Sequence, residues 1–180
     1  RFTEELKKEY NFLMKKHNLT PIQFSEWKYL RLHPANFPEI RLKQFINVLT
    51  RTSNIFSKLF DMEKVRDVIS LFQSPKNIKK DERVNYPGIA SIENIIANTI
   101  IPFLFLYGNA RGKEELINKS IQWLEELKPE ANVIIKNWKK IGVGYENLKQ
   151  TQSLIHLKNE YCTRKQCLNC GIGHKILTTN

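Results

Sequence analysis

Glycine is scarce in this chain, at seven residues in 180. None of the seven builds a phosphate-cradling loop or a dinucleotide fingerprint, so the nucleotide folds that need one are excluded. The GxSxG elbow of serine hydrolases and the HExxH helix of zinc proteases are also missing. No segment alternates apolar and polar residues long enough to read as a strand, and no repeat recurs at a fixed period. Carboxylates sit next to each other, as in Glu114-Glu115, Glu125-Glu126 and Asp81-Glu82. Neighbours on a helix diverge, so these are poor acid/base pairs. Of the four histidines (17, 33, 156 and 174), only His33 occupies a loop suited to chemistry. The chain on its own is expected to be non-catalytic.

Acidic residues are in short supply, at 18 Asp/Glu against 29 Lys/Arg, for a net charge of +11. The deficit is uneven: 11 Lys/Arg face 5 Asp/Glu over residues 1–60, 9 face 8 over 61–120, and 9 face 5 over 121–180. If the two terminal thirds meet, they make one basic face that attracts nucleic acid through counterion release. The alternative is a solvated, lysine-rich surface. Long apolar runs are lacking too. Residues 89–107 are interrupted by Ser91, Glu93, Asn94, Asn98 and Pro102, a stretch expected to be too short and too polar to span a bilayer. Cysteine is limited to three residues, an odd count that argues against a secreted disulfide framework. A cytoplasmic protein without a membrane partner is the expectation. The chain opens on Arg1 with no initiator Met and no signal-like run, which reads as a piece of a longer protein.

What the chain does contain is helical periodicity. Leu6, Tyr10, Leu13, Met14 and His17 mark a helix over residues 3–17 that stops at Asn18. Thr20-Pro21-Ile22-Gln23 reads as a capping box opening a helix with Phe24, Trp27 and Leu30 inward. Leu42, Phe45, Ile46 and Leu49 form the inward stripe expected of the helix after Pro38. Short helices follow around Phe56 and Val68, and residues 75–88 make a long polar loop, expected to be mobile. Residues 91–107 are apolar nearly all round and predict a central buried helix kinked at Pro102 and ended by Tyr107-Gly108. Helices over 113–127, from Pro129 to Ile141, and from about Tyr145 to Tyr161 complete an all-α, single-domain bundle over 1–180 with an irregular cysteine-rich tail.

Two patches carry the candidate sites. The stretch WKYLRLHPANFPEIRLKQF, residues 27–45, is braced by Pro34 and Pro38, which pin their own φ and push His33 and Phe37 out of the helical region. Such a loop can hold Arg31, His33, Asn36, Arg41 and Lys43 out as a nucleic-acid-binding set. It can equally serve as a lock in which Trp27, Leu30, Phe37 and Ile40 join two helices while the arginines bond carbonyls. The second patch is Cys162, Cys167, Cys170 and His174. A Cys-x-x-Cys-Gly knuckle with a third thiol and a histidine suits tetrahedral zinc, with Arg164 and Lys165 offsetting thiolate charge. Three reduced thiols packed as small hydrophobes, a redox pair or an iron–sulfur cluster are the other readings.

Three stretches together, the loop WKYLRLHPANFPEIRLKQF, then IIPFLFLYG, then SLIHLKNEYCTRKQCLNCGIG, resemble the C-terminal half of an uncharacterised bacterial family, domain-of-unknown-function family twenty-eight fifty-one. The resemblance implies a longer protein whose N-terminal half has a PD-(D/E)XK nuclease-like fold. It makes this chain a helical accessory domain, with any phosphodiester chemistry outside it. Two positions depart from the family's pattern: His33 stands where arginine is expected, and His174 where asparagine is expected.

Overall fold

The computed structural model describes residues 2–75, 77–79 and 81–179; the side chains of Phe2, Asp81 and Glu82 lie outside that description, as do Lys76 and Lys80 of the expected polar loop. Among the described residues the fold is all-α, without strands. Its axis is one rod in three pieces: α5 (Ile89–Ile95), a π-helical turn (Ile96–Ile100) and α6 (Ile101–Arg111). Pro102 explains the middle piece. Proline has no N–H to give and its ring crowds the carbonyl four residues back, which here belongs to Asn98. The turn ahead of it widens, and the Ile101 N–H donates to the Ile96 carbonyl, five residues back. Asn98 bonds the side chain and carbonyl of Asn94 on the exposed side. The rod runs past Tyr107-Gly108, where an end was expected. It stops at Gly112, whose φ of 64° is the left-handed conformation that favours glycine.

Around one face of this rod stand α2 (Pro38–Arg51), α3 (Ile55–Asp61), α4 (Val65–Phe72), α7 (Glu114–Glu126) and the start of α9 (Leu148–His156). Their core is Val48, Leu59, Val68 and Phe72 against Ile92, Ile96, Ile100, Ile101 and Leu104, closed by Trp123, Leu127 and Leu148. Full burial suits Trp123 because its indole N–H donates to the Glu63 carbonyl at 3.0 Å. The α7 helix also ties down the corner between α3 and α4. Lys119 Nζ donates to the Phe60 carbonyl at 2.6 Å, at the C-terminal end of α3. The Glu126 carboxylate accepts the first amide of α4, Val65 N–H, at 3.0 Å. A cation at one helix end and an anion at the other both complement the helix dipoles. Two further helices, α8 (Val133–Lys140) and α10 (Gly171–Thr178), pack beyond α9. Asn132 caps α8 through Ile135 N–H, and Trp138 Nε1 donates to the Leu154 carbonyl. Helix α8 therefore starts after Asn132 and not at Pro129.

The other face of the rod is not buried as expected. Ile95, Phe105 and Leu106 are exposed, Leu106 by 64%. By length and composition alone, Arg83–Arg111 is long and apolar enough to cross a membrane, with 28% of its most apolar window buried. The expectation that it was too short rested on an end at residue 107. A core helix meets the same test, and the inward residues of this one form the core.

Three sequence expectations fail on the N-terminal side. The first helix, α1 (Phe2–His17), forms and stops at Asn18, yet its stripe of Leu6, Tyr10 and Leu13 is exposed. Residues 20–33 do not make a helix. They hold only a 3-10 turn, Phe24–Glu26, whose capping box is Gln23 and Glu26 instead of Thr20 and Gln23. An isolated helix of this length is marginal without a buried face, and Phe24 and Leu30 find no core, being 80% and 86% exposed. Helix α2 is present but turned over. Leu42, Phe45, Ile46 and Leu49 face solvent, while Gln44 and Val48 are buried and Arg41 and Asn47 are half-buried beside them. The reason is hydrogen-bond satisfaction. Helix α2 supplies donors to the segment after α4: Gln44 donates to the Val84 carbonyl and Asn47 to that of Asn85, both at 3.0 Å, and Arg51 to that of Gln73 at 2.9 Å. The later part of the expected mobile loop is thus pinned, with the Arg51 guanidinium over the Tyr86 ring.

Candidate functional site

The proline-braced loop closes as a 3-10 turn, Pro34–Asn36. His33 caps it: Nδ1 accepts from Ala35 N–H at 3.3 Å, and the His33 carbonyl accepts from Asn36 N–H at 2.7 Å. Tyr29 packs edge-on to Phe37, ring centroids 5.1 Å apart, with Phe24 at 5.9 Å on its other side. These rings make the lock, with Leu30 left exposed. Partial desolvation holds the Tyr29 hydroxyl above its ordinary pKa, helped by its hydrogen bond to Glu39 and the charge of that carboxylate.

The structure brings Asn36 and Arg41 together and separates their role from that of the other three residues. Arg41 Nη1 donates to Gln44 Oε1 at 2.9 Å, and Nη2 to Asn36 Oδ1 and to Ser91 Oγ at 3.2 Å. It is a half-buried clamp joining the turn, α2 and the head of α5, through side chains and not the carbonyls expected of the locked reading. The turn itself is exposed, which that reading did not expect either. Arg31, at a left-handed φ of 65°, His33 and Lys43 are exposed and stand outside that clamp. The principal packing of α2 is on the turns at 34–36 and 81–85, that of α8 on α9, and that of α10 on the cysteine turn.

The cysteine patch is more ordered than an irregular tail. Helix α9 widens into a π-helical turn, Leu157–Cys162, and Lys165 at φ 54° reverses the chain. A 3-10 turn, Cys167–Asn169, then leads into α10. A Cβ on Gly173 would collide with the Cys167 carbonyl, so only glycine lets α10 lie back on this turn. Cys162, Cys167 and Cys170 line one cavity of about 200 Å³, between Trp138, Leu157 and Ile176. His174 is not on its wall. Among the described residues no three His, Cys, Asp or Glu side chains converge as they would on one metal ion. Arg164, expected to offset thiolate charge, pairs with Glu160 at 2.9 Å.

The family model described as "Protein of unknown function (DUF2851)" matches residues 1–133, about three quarters of the chain. The chain belongs to this family. No curated protein and no solved structure matches it. The family match takes in the proline turn and the whole rod and ends where α8 begins, so the cysteine turn of this family member lies beyond the matched residues.

Proposed function

We propose that this family member is a non-catalytic helical accessory domain that docks on a second protein surface through the outer stripe of α2. The observation that carries the reading is the inverted amphipathicity of that helix. Its polar face is consumed by internal hydrogen bonds, and Leu42, Phe45, Ile46 and Leu49, one helical stripe, are left 41–55% exposed. Burying such side chains is worth about 1.5–3 kcal/mol each, and a stripe of four is the usual pattern of a helix seated in a groove. The partner is the nuclease-like N-terminal domain that the family resemblance implies. Calorimetric titration of that domain with the full chain tests it. Micromolar or tighter binding is expected, with Phe45→Lys weakening it about 100-fold as the loss of a central anchor does. Absence of binding, or equal binding by the variant, refutes the docking.

A second reading, nucleic-acid binding, is favoured by the net charge of +11 and by exposed Arg31, His33 and Lys43 around the rigid turn. Fluorescence anisotropy with a labelled duplex decides it. Affinity should fall by orders of magnitude between low and physiological salt. No association at low salt removes this reading.

A further inference from the structure

We propose that Cys167 and Cys170 are a redox-active dithiol, which closes to a disulfide by exchange with a small disulfide of the glutathione class. Among the described residues no three ligand side chains converge as a metal ion requires, yet all three thiols line one cavity of about 200 Å³. The backbone between Cys167 and Cys170 sets this pair apart. Cys170 N–H donates to the Cys167 carbonyl at 3.3 Å and closes the four-residue turn that carries the 3-10 helix Cys167–Asn169. A turn closed in this way keeps its first and last Cα atoms within about 7 Å. A disulfide asks for Cα atoms about 4.4–6.8 Å apart. At about three residues per 3-10 turn, the fourth residue also stands over the first. Cys167 and Cys170 accordingly open onto the same cavity and not onto opposite sides of the chain.

Both ends of the turn are held. His174 N–H donates to the Cys170 carbonyl at 2.8 Å, where α10 begins, and Gln166 N–H donates to the Tyr161 carbonyl at 2.9 Å. Gly173 lets α10 lie directly on the Cys167 backbone, where an added Cβ would collide with the carbonyl. The two thiols therefore need little backbone rearrangement to meet. Cys162 ends the π-helical turn on the far side of the reversal at Lys165, outside this closed turn. Exposure sets the order of the exchange: Cys167 is exposed and Cys170 is half-buried. The Cys167 thiolate attacks one sulfur of the small disulfide, whose S–S bond breaks as a mixed disulfide forms and one small thiol leaves. The Cys170 thiolate then attacks the Cys167 sulfur, forms the intrachain bond and releases the second small thiol. Two electrons pass from the protein to the small disulfide, and the two protein thiol protons end on the two thiols released.

The test is incubation of the reduced full chain with glutathione disulfide, read by thiol titration and by intact and peptide mass spectrometry. The parent should fall from three titratable thiols to one, retain no glutathione and carry a Cys167–Cys170 bond. Dithiothreitol should restore all three thiols. Cys170→Ser should stop after the first step and keep one glutathione on Cys167. Cys162→Ser should still close the bond. Circular dichroism of the reduced variants should match the reduced parent, which separates thiol chemistry from unfolding, and the bond map of the parent needs no variant. No reaction, a lasting glutathione adduct on the parent, or a bond that requires Cys162 each overturn the proposal.

Discussion

Replacing Gly108 by alanine sets two opposed effects of known size against each other. Gly108 is buried in the middle of α6, where alanine is favoured by about 1 kcal/mol on helix propensity alone. Against that, an added Cβ would stand 3.0 Å from the Lys113 carbonyl oxygen, 3.1 Å from Leu116 Cβ and 3.1 Å from Ile117 Cγ1. Two of these neighbours are backbone or Cβ atoms, which no side-chain rotation can move. Only a shift of α7 relieves them, and α7 is held by buried Trp123 and by the Lys119 and Glu126 bonds to α3 and α4. Overpacking of this kind costs about 1–3 kcal/mol. The net expectation for Gly108→Ala is a loss of roughly 0–2 kcal/mol, despite the better helix former. Urea unfolding followed by circular dichroism reads this as a lower midpoint at unchanged slope. A midpoint above that of the parent would show that the α6–α7 contact is looser than described and would refute the packing argument. Gly112→Ala should also destabilise, by about 1–2 kcal/mol, but through its left-handed φ. Gly112→Asn should recover much of that loss, a rescue that has no counterpart at Gly108.

Other outcomes follow from the same contacts. Trp123→Phe keeps the apolar ring but strands the Glu63 carbonyl, and should cost about 1–3 kcal/mol in chemical denaturation. Glu126→Ala removes the cap of α4 and should cost about 1 kcal/mol. Ile46→Lys on the outer stripe should leave the stability of the isolated chain within about 0.5 kcal/mol. Ile92→Ala, in the core, should lower it by about 2–5 kcal/mol; similar losses at both sites would contradict the reversed face of α2. Tyr29 should titrate above the ordinary tyrosine value in an ultraviolet pH titration, and Glu39→Gln should bring it only part of the way down, because desolvation is the larger cause. Its neutral form is favoured by folding, so the associated stability is fully present below the unfolded pKa near 10 and is lost as pH rises through the folded value.

The sequence by itself determined that the chain is all-α and where most helices lie. Helical spacing and the proline and glycine signals are local; α1, α2 and α7 begin and end near those signals, and the rod begins near its own but runs on past Gly108 to Gly112. The three cysteines, close in the chain, also line one cavity. Which face of a helix is buried was a different matter. Leu42, Phe45, Ile46 and Leu49 carry the stripe of an inward face, yet the inward residues are Gln44 and Val48, flanked by half-buried Arg41 and Asn47. Only the tertiary structure decided this, because the Val84 and Asn85 carbonyls take their donors from Gln44 and Asn47, 40 and 38 residues away in sequence. The widened turn before Pro102 and the pairing of Glu126 with Val65 were settled there too. A hydrogen-bonding requirement set by a distant segment outweighed the local hydrophobic pattern, and no window of neighbouring residues records such a requirement.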